Sequence, residues 1–207
     1  DTVEEGFTSL FLKNIADALE GRKLDYLIVN HMEPDHSSSI EAVRRAYPEV
    51  TVVGNAKTVQ MLQGFYGITD RTLQVADGQT LSLGSTELAF HLTPMVHWPE
   101  TMMTLMPAEK ILFSGDAFGC FGALQGNPTD ADIDADLYFD QMYRYYAAIV
   151  GKYGVPVQNA MKKLADKSVA TICPTHGPVW QRHAGEVLEI YSRLSRYEGE
   201  RGTVIVY

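Results

Sequence analysis

The chain has 207 residues, of which 45% are hydrophobic and 21% charged, and a formal net charge of −9. This size and composition predict one large globular domain and exclude a disordered chain. The excess of acidic residues argues against non-specific binding to nucleic acid or to an anionic membrane, because both need basic patches. No apolar run in the sequence approaches the roughly 20 residues that span a bilayer.

The first part of the chain predicts helices that alternate with strands. Apolar residues at helical spacing predict a helix over 7–19, which Gly21 would end. An apolar run over 24–30 has the length of a strand and leads directly to His31. The next predicted elements are a helix over 39–46, a strand over 50–53 and a helix over 56–65.

The middle of the chain predicts successive strands separated by Gly and Pro turn signals. These strands cover 71–76, 80–83, 87–93, 101–106 and 110–114. A Gly-rich loop over 115–128 follows. The remaining elements are helices over 136–153 and 156–165, a strand over 169–173, and a long amphipathic helix over 180–197. This mixture predicts a layered α/β domain with its site along one edge.

Cys120 and Cys173 are the only cysteines of the chain, and they do not form a CxxC motif. A domain of this size does not need a disulfide for stability. We therefore expect reduced thiols and a cytoplasmic location.

Four potential metal ligands lie within the hexapeptide HMEPDH. Pro34 lacks an amide hydrogen and favours an extended conformation at Glu33, so the segment is not expected in the middle of a helix. Alternate side chains of an extended chain share a face, so His31, Glu33 and Asp35 could point the same way. A turn after Pro34 could then bring His36 to join them. The simpler alternative is a polar loop that caps the following helix.

Three more candidate ligands follow predicted strands: His97, Asp116 and His176. Each one alone would be read as an ordinary loop residue, but the joint pattern indicates convergence on one point. Two further histidines do not fit this pattern. We expect His91 to be structural because it lies inside a strand, and His183 to be solvated on the exposed side of a helix.

One metal ion cannot use seven protein ligands of these kinds. Two ions can share them if one carboxylate bridges a separation of about 3.5–4 Å. Asp116 is the best bridge because it lies alone at the end of its strand. A carboxylate-rich set suits iron or manganese, and Glu33 occupies a position where a zinc hydrolase usually has His.

These motifs resemble those of the flavodiiron proteins, an iron-containing branch of the metallo-β-lactamase superfold. The resemblance rests on HMEPDH, on VHWPETM around His97, on GDAFGCFGAL around Asp116 and on PTHGPVW around His176. It implies an α/β fold, a metallo-β-lactamase-like αββα sandwich that is incomplete at the N-terminus because the family's first strands would precede Asp1.

The resemblance also implies two domains. Residues 1–202 would form the metallo-β-lactamase-like diiron domain. The apolar run over 203–207 would be the first strand of a missing flavodoxin-like domain, although it could also complete the sheet of the first domain.

The resemblance further implies a ligand set. One iron would take His31, Glu33 and His97, the other would take Asp35, His36 and His176, and Asp116 would bridge them. Asp116 and Trp98 are the residues expected to be catalytic. Trp98, Phe118 and Phe121 could line the pocket, although aromatic residues in such loops more often serve simple packing.

The implied activity is that of a diiron oxidoreductase, which reduces dioxygen to water, nitric oxide to nitrous oxide, or both. Electrons would come from FMN, whose site is expected beyond Tyr207 or on the partner subunit of a head-to-tail homodimer. A rubredoxin-like protein or another reductase would supply electrons to the flavin.

Two other functions fit parts of the pattern. The first is a zinc-dependent hydrolase of the same fold, such as a thioesterase, nuclease or lactonase. Those families resemble H-x-H-x-D-H, and Glu33 argues against them. The second is a scaffold that dimerises and binds no metal, which an intact set of seven ligands disfavours.

Overall fold

The computed structural model describes residues 1–124 and 126–198. The helices within these ranges are α1 (Thr8–Leu19), α2 (Pro34–Ser37), α3 (Ile40–Ala46), α4 (Ala56–Tyr66), α5 (Ala135–Ile149), α6 (Gly154–Leu164) and α7 (Ala184–Ser195). The strands are β1 (Tyr26–Ile28), β2 (Thr51–Gly54), β3 (Thr72–Gln74), β4 (Thr80–Ser82), β5 (Glu87–Leu92), β6 (Met102–Met106), β7 (Ile111–Gly115) and β8 (Thr171–Pro174). None of these helices is long and apolar enough to cross a membrane.

The strands form two sheets. One is parallel throughout and has the order β1-β2-β3. The other has the order β4-β5-β6-β7-β8 and is antiparallel except for its last pair, in which β8 runs parallel to β7. Apolar side chains from both sheets share one buried cluster, which includes Val53, Val75, Leu88, Phe90 and Met102. The two sheets therefore pack face to face.

Helices cover the outer face of each sheet. Ile40, Val43 and Leu62 of α3 and α4 pack with Leu27 and Val52 of the first sheet. On the second sheet, α5, α6 and α7 contribute to the cluster that contains Leu112 and Ile172. Full burial of such side chains stabilises the fold by about 1.5–3 kcal/mol each. The result is a helix–sheet–sheet–helix sandwich, as the sequence predicts.

The last predicted helix begins later than expected. The peptide groups of Trp180 and Ile172 exchange two hydrogen bonds of 2.9 Å, which keep residue 180 extended. The carboxylate of Asp130 accepts hydrogen bonds from the N–H groups of residues 181, 182 and 183. Because the bridge to Ile172 holds residue 180 extended and the Asp130 carboxylate fixes the next three residues, α7 begins only at Ala184.

Two predictions fall on residues at the end of the chain. The strand over 203–207 and the greater part of the link before it lie outside the described residues.

Candidate metal centre

Loops that follow β1, β5, β7 and β8 bring all seven candidate ligands to one edge of the sandwich. Glu33 is extended, with φ −58° and ψ 148°, and Pro34 takes the first position of the short helix α2. The extended-chain prediction for Asp35 is therefore wrong, because Asp35 and His36 lie in the first turn of α2. This change of direction separates His31 and Glu33 from Asp35 and His36.

The first ligand group consists of His31, Glu33 and His97, with one oxygen of Asp116. The Nε2 atom of His97 lies 2.9 Å from Oδ2 of Asp116 and 3.0 Å from Oε2 of Glu33. The Nε2 atom of His31 lies 3.2 Å from the same oxygen of Glu33 and 3.3 Å from Nε2 of His97. Four donor atoms thus converge within 4.8 Å of one another.

The second ligand group consists of Asp35, His36 and His176. The Nε2 atoms of His176 and His36 lie 3.2 Å and 3.5 Å from Oδ2 of Asp35. The other oxygen of Asp116, Oδ1, lies 3.0 Å from Nε2 of His36 and 3.3 Å from Nε2 of His176. Asp116 therefore directs one oxygen to each group, which is the geometry a bridging carboxylate requires.

The chemistry of these atoms suits a cation. The Nδ1 atom of His31 lies 2.7 Å from Oε1 of Glu100, and a carboxylate only accepts hydrogen bonds. The Glu100 carboxylate thus favours a hydrogen on Nδ1, and in the neutral imidazole Nε2 then directs its lone pair at oxygens of Glu33 and Asp116. The buried Nε2 atom of His36 also has no hydrogen-bond partner among the described residues. A cation between these atoms would satisfy all of them.

Electrostatics support the same conclusion. Burial alone would raise the pKa of Asp116, but the neighbouring imidazoles of His176, His36 and His97 hold that pKa well below its ordinary value. Burial would lower the pKa of His97, yet the carboxylate of Asp116 raises it. The cluster thus retains negative charge and attracts positive charge, either as protons or as metal ions.

Two acidic residues contact the candidate ligands His31 and His36 on the side away from the site, and the sequence does not indicate them as site residues. Glu100 is completely buried. Its Oε1 accepts a hydrogen bond from the backbone N–H of Met32 at 2.9 Å and also contacts the ring Nδ1 of His31. Asp1 accepts the N–H of His31 at 3.1 Å and places its other oxygen 3.4 Å from Nδ1 of His36. The only sequence signal for Glu100 was its place three residues after His97.

Comparison with known proteins identifies the family. The family model described as "ODP family beta lactamase" matches residues 3–177. The chain belongs to this family. A nitric oxide reductase of Moorella thermoacetica is 33% identical to this chain over an alignment of 214 positions, which covers 100% of this chain and 52% of that protein.

Two solved structures support the assignment of this chain to the family. The flavodiiron protein of Giardia intestinalis has a TM-score of 0.91 and 29% identity, over 95% of this chain and 48% of that one. The rubredoxin oxygen:oxidoreductase of Desulfovibrio gigas has a TM-score of 0.89 and 28% identity, over 95% and 50%. The resemblance to flavodiiron proteins is thus confirmed, and the chain spans about half the length of these relatives.

A cavity of about 430 Å³ opens onto the second ligand group of this ODP-family chain. Phe121, Tyr145 and Ile149 line it together with Asp35 and His176. The ring of Tyr145 lies 5.8 Å from the ring of His176. The pKa of the Tyr145 hydroxyl is raised, mainly by burial and secondly by the negative charge of Asp116. Sequence reasoning missed Tyr145, because a tyrosine on a helix is usually a packing residue.

The aromatic residues predicted at the site take different places. Phe121 lines the cavity, which is the first of the two alternatives. Trp98 packs edge-on against the rings of His31 and His97, at 5.3 Å and 6.2 Å between ring centroids. Phe118 takes the packing alternative, because its ring is 1% exposed and packs in the core against Tyr191.

The two remaining histidines lie away from the ligand groups. His91 is buried within β5, as the strand pattern predicts, and burial lowers its pKa. The prediction that His183 is a solvated helix residue is wrong. His183 precedes α7, and its Nδ1 lies 3.0 Å from the buried carboxylate of Asp130.

Proposed function

We propose that this chain is the metal-binding part of a flavodiiron-type oxidoreductase. The enzyme would reduce dioxygen to water, nitric oxide to nitrous oxide, or both. The observation that carries the proposal is the position of Asp116, whose two oxygens face two separate sets of ligands. A single-metal site would need only one such set.

The proposed ligands are those of the two groups. One iron would be held by His31, Glu33 and His97, the other by Asp35, His36 and His176, and both by Asp116. When bound, two ferrous ions would supply the redox chemistry of the site, with one electron from each ion. The three carboxylates favour iron over zinc, and Glu33 is the residue that separates this set from that of a zinc hydrolase.

The residues around the cavity would serve the substrate. The hydroxyl of Tyr145 is protonated at neutral pH, since burial raises further a pKa that is ordinarily about 10, so it can donate a hydrogen bond to a ligand in the cavity. Phe121 and Ile149 offer apolar contacts that suit a small uncharged gas and limit the entry of water. Trp98 would act by holding the imidazoles of His31 and His97, which it contacts.

The electron balance separates the two substrates. Two molecules of nitric oxide, two protons and two electrons give one nitrous oxide and one water. One dioxygen needs four protons and four electrons to give two waters, so a second pair of electrons must arrive from outside the site. FMN would supply this pair.

Several parts of the proposal rest on the family resemblance alone. They are FMN beyond Tyr207 or on a partner subunit, a rubredoxin-like or other reductase as the donor, and a head-to-tail homodimer. The domain boundaries, 1–202 and 203–207, belong to the same proposal. A cytoplasmic location is proposed because Cys120 and Cys173 are free thiols.

The test begins with anaerobic loading of the chain with ferrous iron. We expect two iron ions per chain, and one nitrous oxide for each reduced pair when nitric oxide is added, measured by gas chromatography. Oxygen consumption by the chain loaded with ferrous iron, measured without free reduced flavin because that flavin itself reacts with dioxygen, tests the second substrate.

A zinc-loaded sample is the control and should reduce neither gas. Hydrolysis of an ester or phosphodiester by the zinc form, together with no gas reduction by the iron form, would establish the hydrolase instead.

A further inference from the structure

Glu100 is a carboxylate without solvent exposure that lies directly behind the first ligand group. Its Oε1 atom lies 2.7 Å from Nδ1 of His31 and accepts the N–H of Met32 at 2.9 Å. Its Oε2 atom has no hydrogen-bond partner among the described residues. All of the contacts made by this buried charge are therefore directed at the segment that begins the hexapeptide HMEPDH.

A buried charge of this kind is weak evidence for a role in stability. Moving a carboxylate out of water is costly, and an apolar residue of similar volume is often at least as stabilising. The environment of Glu100 is also fixed, because the side-chain amide of Asn55 donates a hydrogen bond to its carbonyl oxygen. Asn55 caps the start of α4 at the same time. The carboxylate is thus held in place by the scaffold.

The consequence of this contact is chemical. A neutral imidazole carries its hydrogen on either nitrogen, and only the other nitrogen can bind a metal. A carboxylate at 2.7 Å from Nδ1 retains the hydrogen there and leaves Nε2 with its lone pair toward the ligand group. His36 has a weaker version of the same support, because Asp1 lies 3.4 Å from its Nδ1.

We propose that Glu100 is a positioning residue, which sets His31 in the orientation and tautomer that bind metal before any metal arrives. This inference rests on the proposed metal centre. It assigns to Glu100 a role that no ligand has, since Glu100 lies on the far side of the imidazole from the site. Replacement of Glu100 should lower the metal affinity of the first ligand group and leave the metal affinity of the second group largely unchanged.

The main test variant is Glu100→Leu, which removes the acceptor and keeps a similar volume. We expect the affinity of one of the two metals to fall about 10- to 100-fold, as for other outer-shell partners of metal ligands. The measurement is titration of the metal-free chain with Co²⁺ against a chelator. The conservative variant Glu100→Gln retains an acceptor oxygen, so it should restore a large part of the affinity.

Asp130→Leu is the matched control. Asp130 is also a buried carboxylate that accepts hydrogen bonds from backbone N–H groups and from an imidazole, that of His183. His183 is not among the proposed ligands. We expect this variant to lose stability but to bind both metals with wild-type affinity.

Nitrogen NMR of the metal-free wild-type chain gives an independent test, even if Glu100→Leu does not fold. At alkaline pH, where imidazoles are neutral, His31 should carry its hydrogen on Nδ1. A hydrogen on Nε2 would overturn the inference, as would wild-type binding of both metals by folded Glu100→Leu. If the wild-type chain binds no second metal, the proposed two-metal centre fails instead.

Discussion

In the first ligand group, the side chains of His31 and His97 are 1% and 12% exposed and that of Glu33 is 35% exposed. In the second group, the side chain of His36 is 2% exposed and those of Asp35 and His176 are each 39% exposed. A buried carboxylate fixes His31 at 2.7 Å, while the corresponding contact of His36 measures 3.4 Å. Asp35 and His176 line the cavity, and the first group contributes to it only through Glu33 and the shared Asp116. The first group is thus the better supported half of the proposed centre, and the second group is the half that opens more widely to the cavity.

This difference indicates a division of labour. Rigid, supported ligands hold a metal ion tightly, whereas an exchangeable ligand needs an accessible position. We therefore expect the second group to be the half that faces the substrate. Four predictions test this contrast, in order of decreasing effect on the metal centre.

Asp116→Asn should remove the contrast by weakening both halves. The amide has nearly the same shape as the carboxylate but lacks the charge that each ion would share. We expect both affinities to fall by more than the roughly 100-fold that outer-shell partners cost. Metal analysis after gel filtration measures this, and the loss of only one ion would contradict the bridging role.

Glu33→His should change the first half alone. An imidazole in place of the carboxylate makes that set resemble a zinc site, so we expect it to prefer zinc over iron and gas reduction to be lost. The metal bound from an equimolar mixture of iron and zinc measures the preference. Full reductase activity in this variant would show that the assigned role of Glu33 is wrong.

Tyr145→Phe should affect the open half without loss of metal. Both ions should remain bound, because the hydroxyl belongs to neither ligand group. The loss of one hydrogen bond worth about 1 kcal/mol should slow turnover about fivefold. Tyr146→Phe is the matched control, since the neighbouring buried hydroxyl has no partner among the described residues and its ring packs on Tyr191. Equal effects of the two substitutions on turnover would show that the hydroxyl of Tyr145 has no role at the site.

Asp130→Asn should alter stability and leave the centre intact. Burial would raise the pKa of Asp130, but three backbone N–H groups and His183 lower it. Stability from a lowered carboxyl pKa is present above the unfolded value, about 3.9, and disappears as the pH falls through the folded value. We expect a loss of about 1–3 kcal/mol at neutral pH, measured by urea unfolding, and a smaller difference in acid. A constant difference at all pH values would contradict this account.

The convergence of the seven candidate ligands could be predicted from the sequence because each belongs to a short motif at the end of a strand. Asp1, Glu100 and Tyr145 could not, since their roles depend on which distant segment they meet after folding. Glu100 is adjacent to Met32 only because the loops after β1 and β5 pack together. The late start of α7 has a similar origin, because the backbone of Trp180 is held extended by its bridge to the distant Ile172.

The parallel pairing of β7 and β8 has an evolutionary consequence. Gly115 faces Pro174 in this pair, and the side chain of Thr175 donates a hydrogen bond of 3.0 Å to Asp116. Asp116 and His176 therefore leave the sheet at the same level, whatever the chain does between them. That intervening segment includes α5 with Tyr145, so mutation and insertion there can reshape the entrance for a new substrate while the metal ligands keep their places.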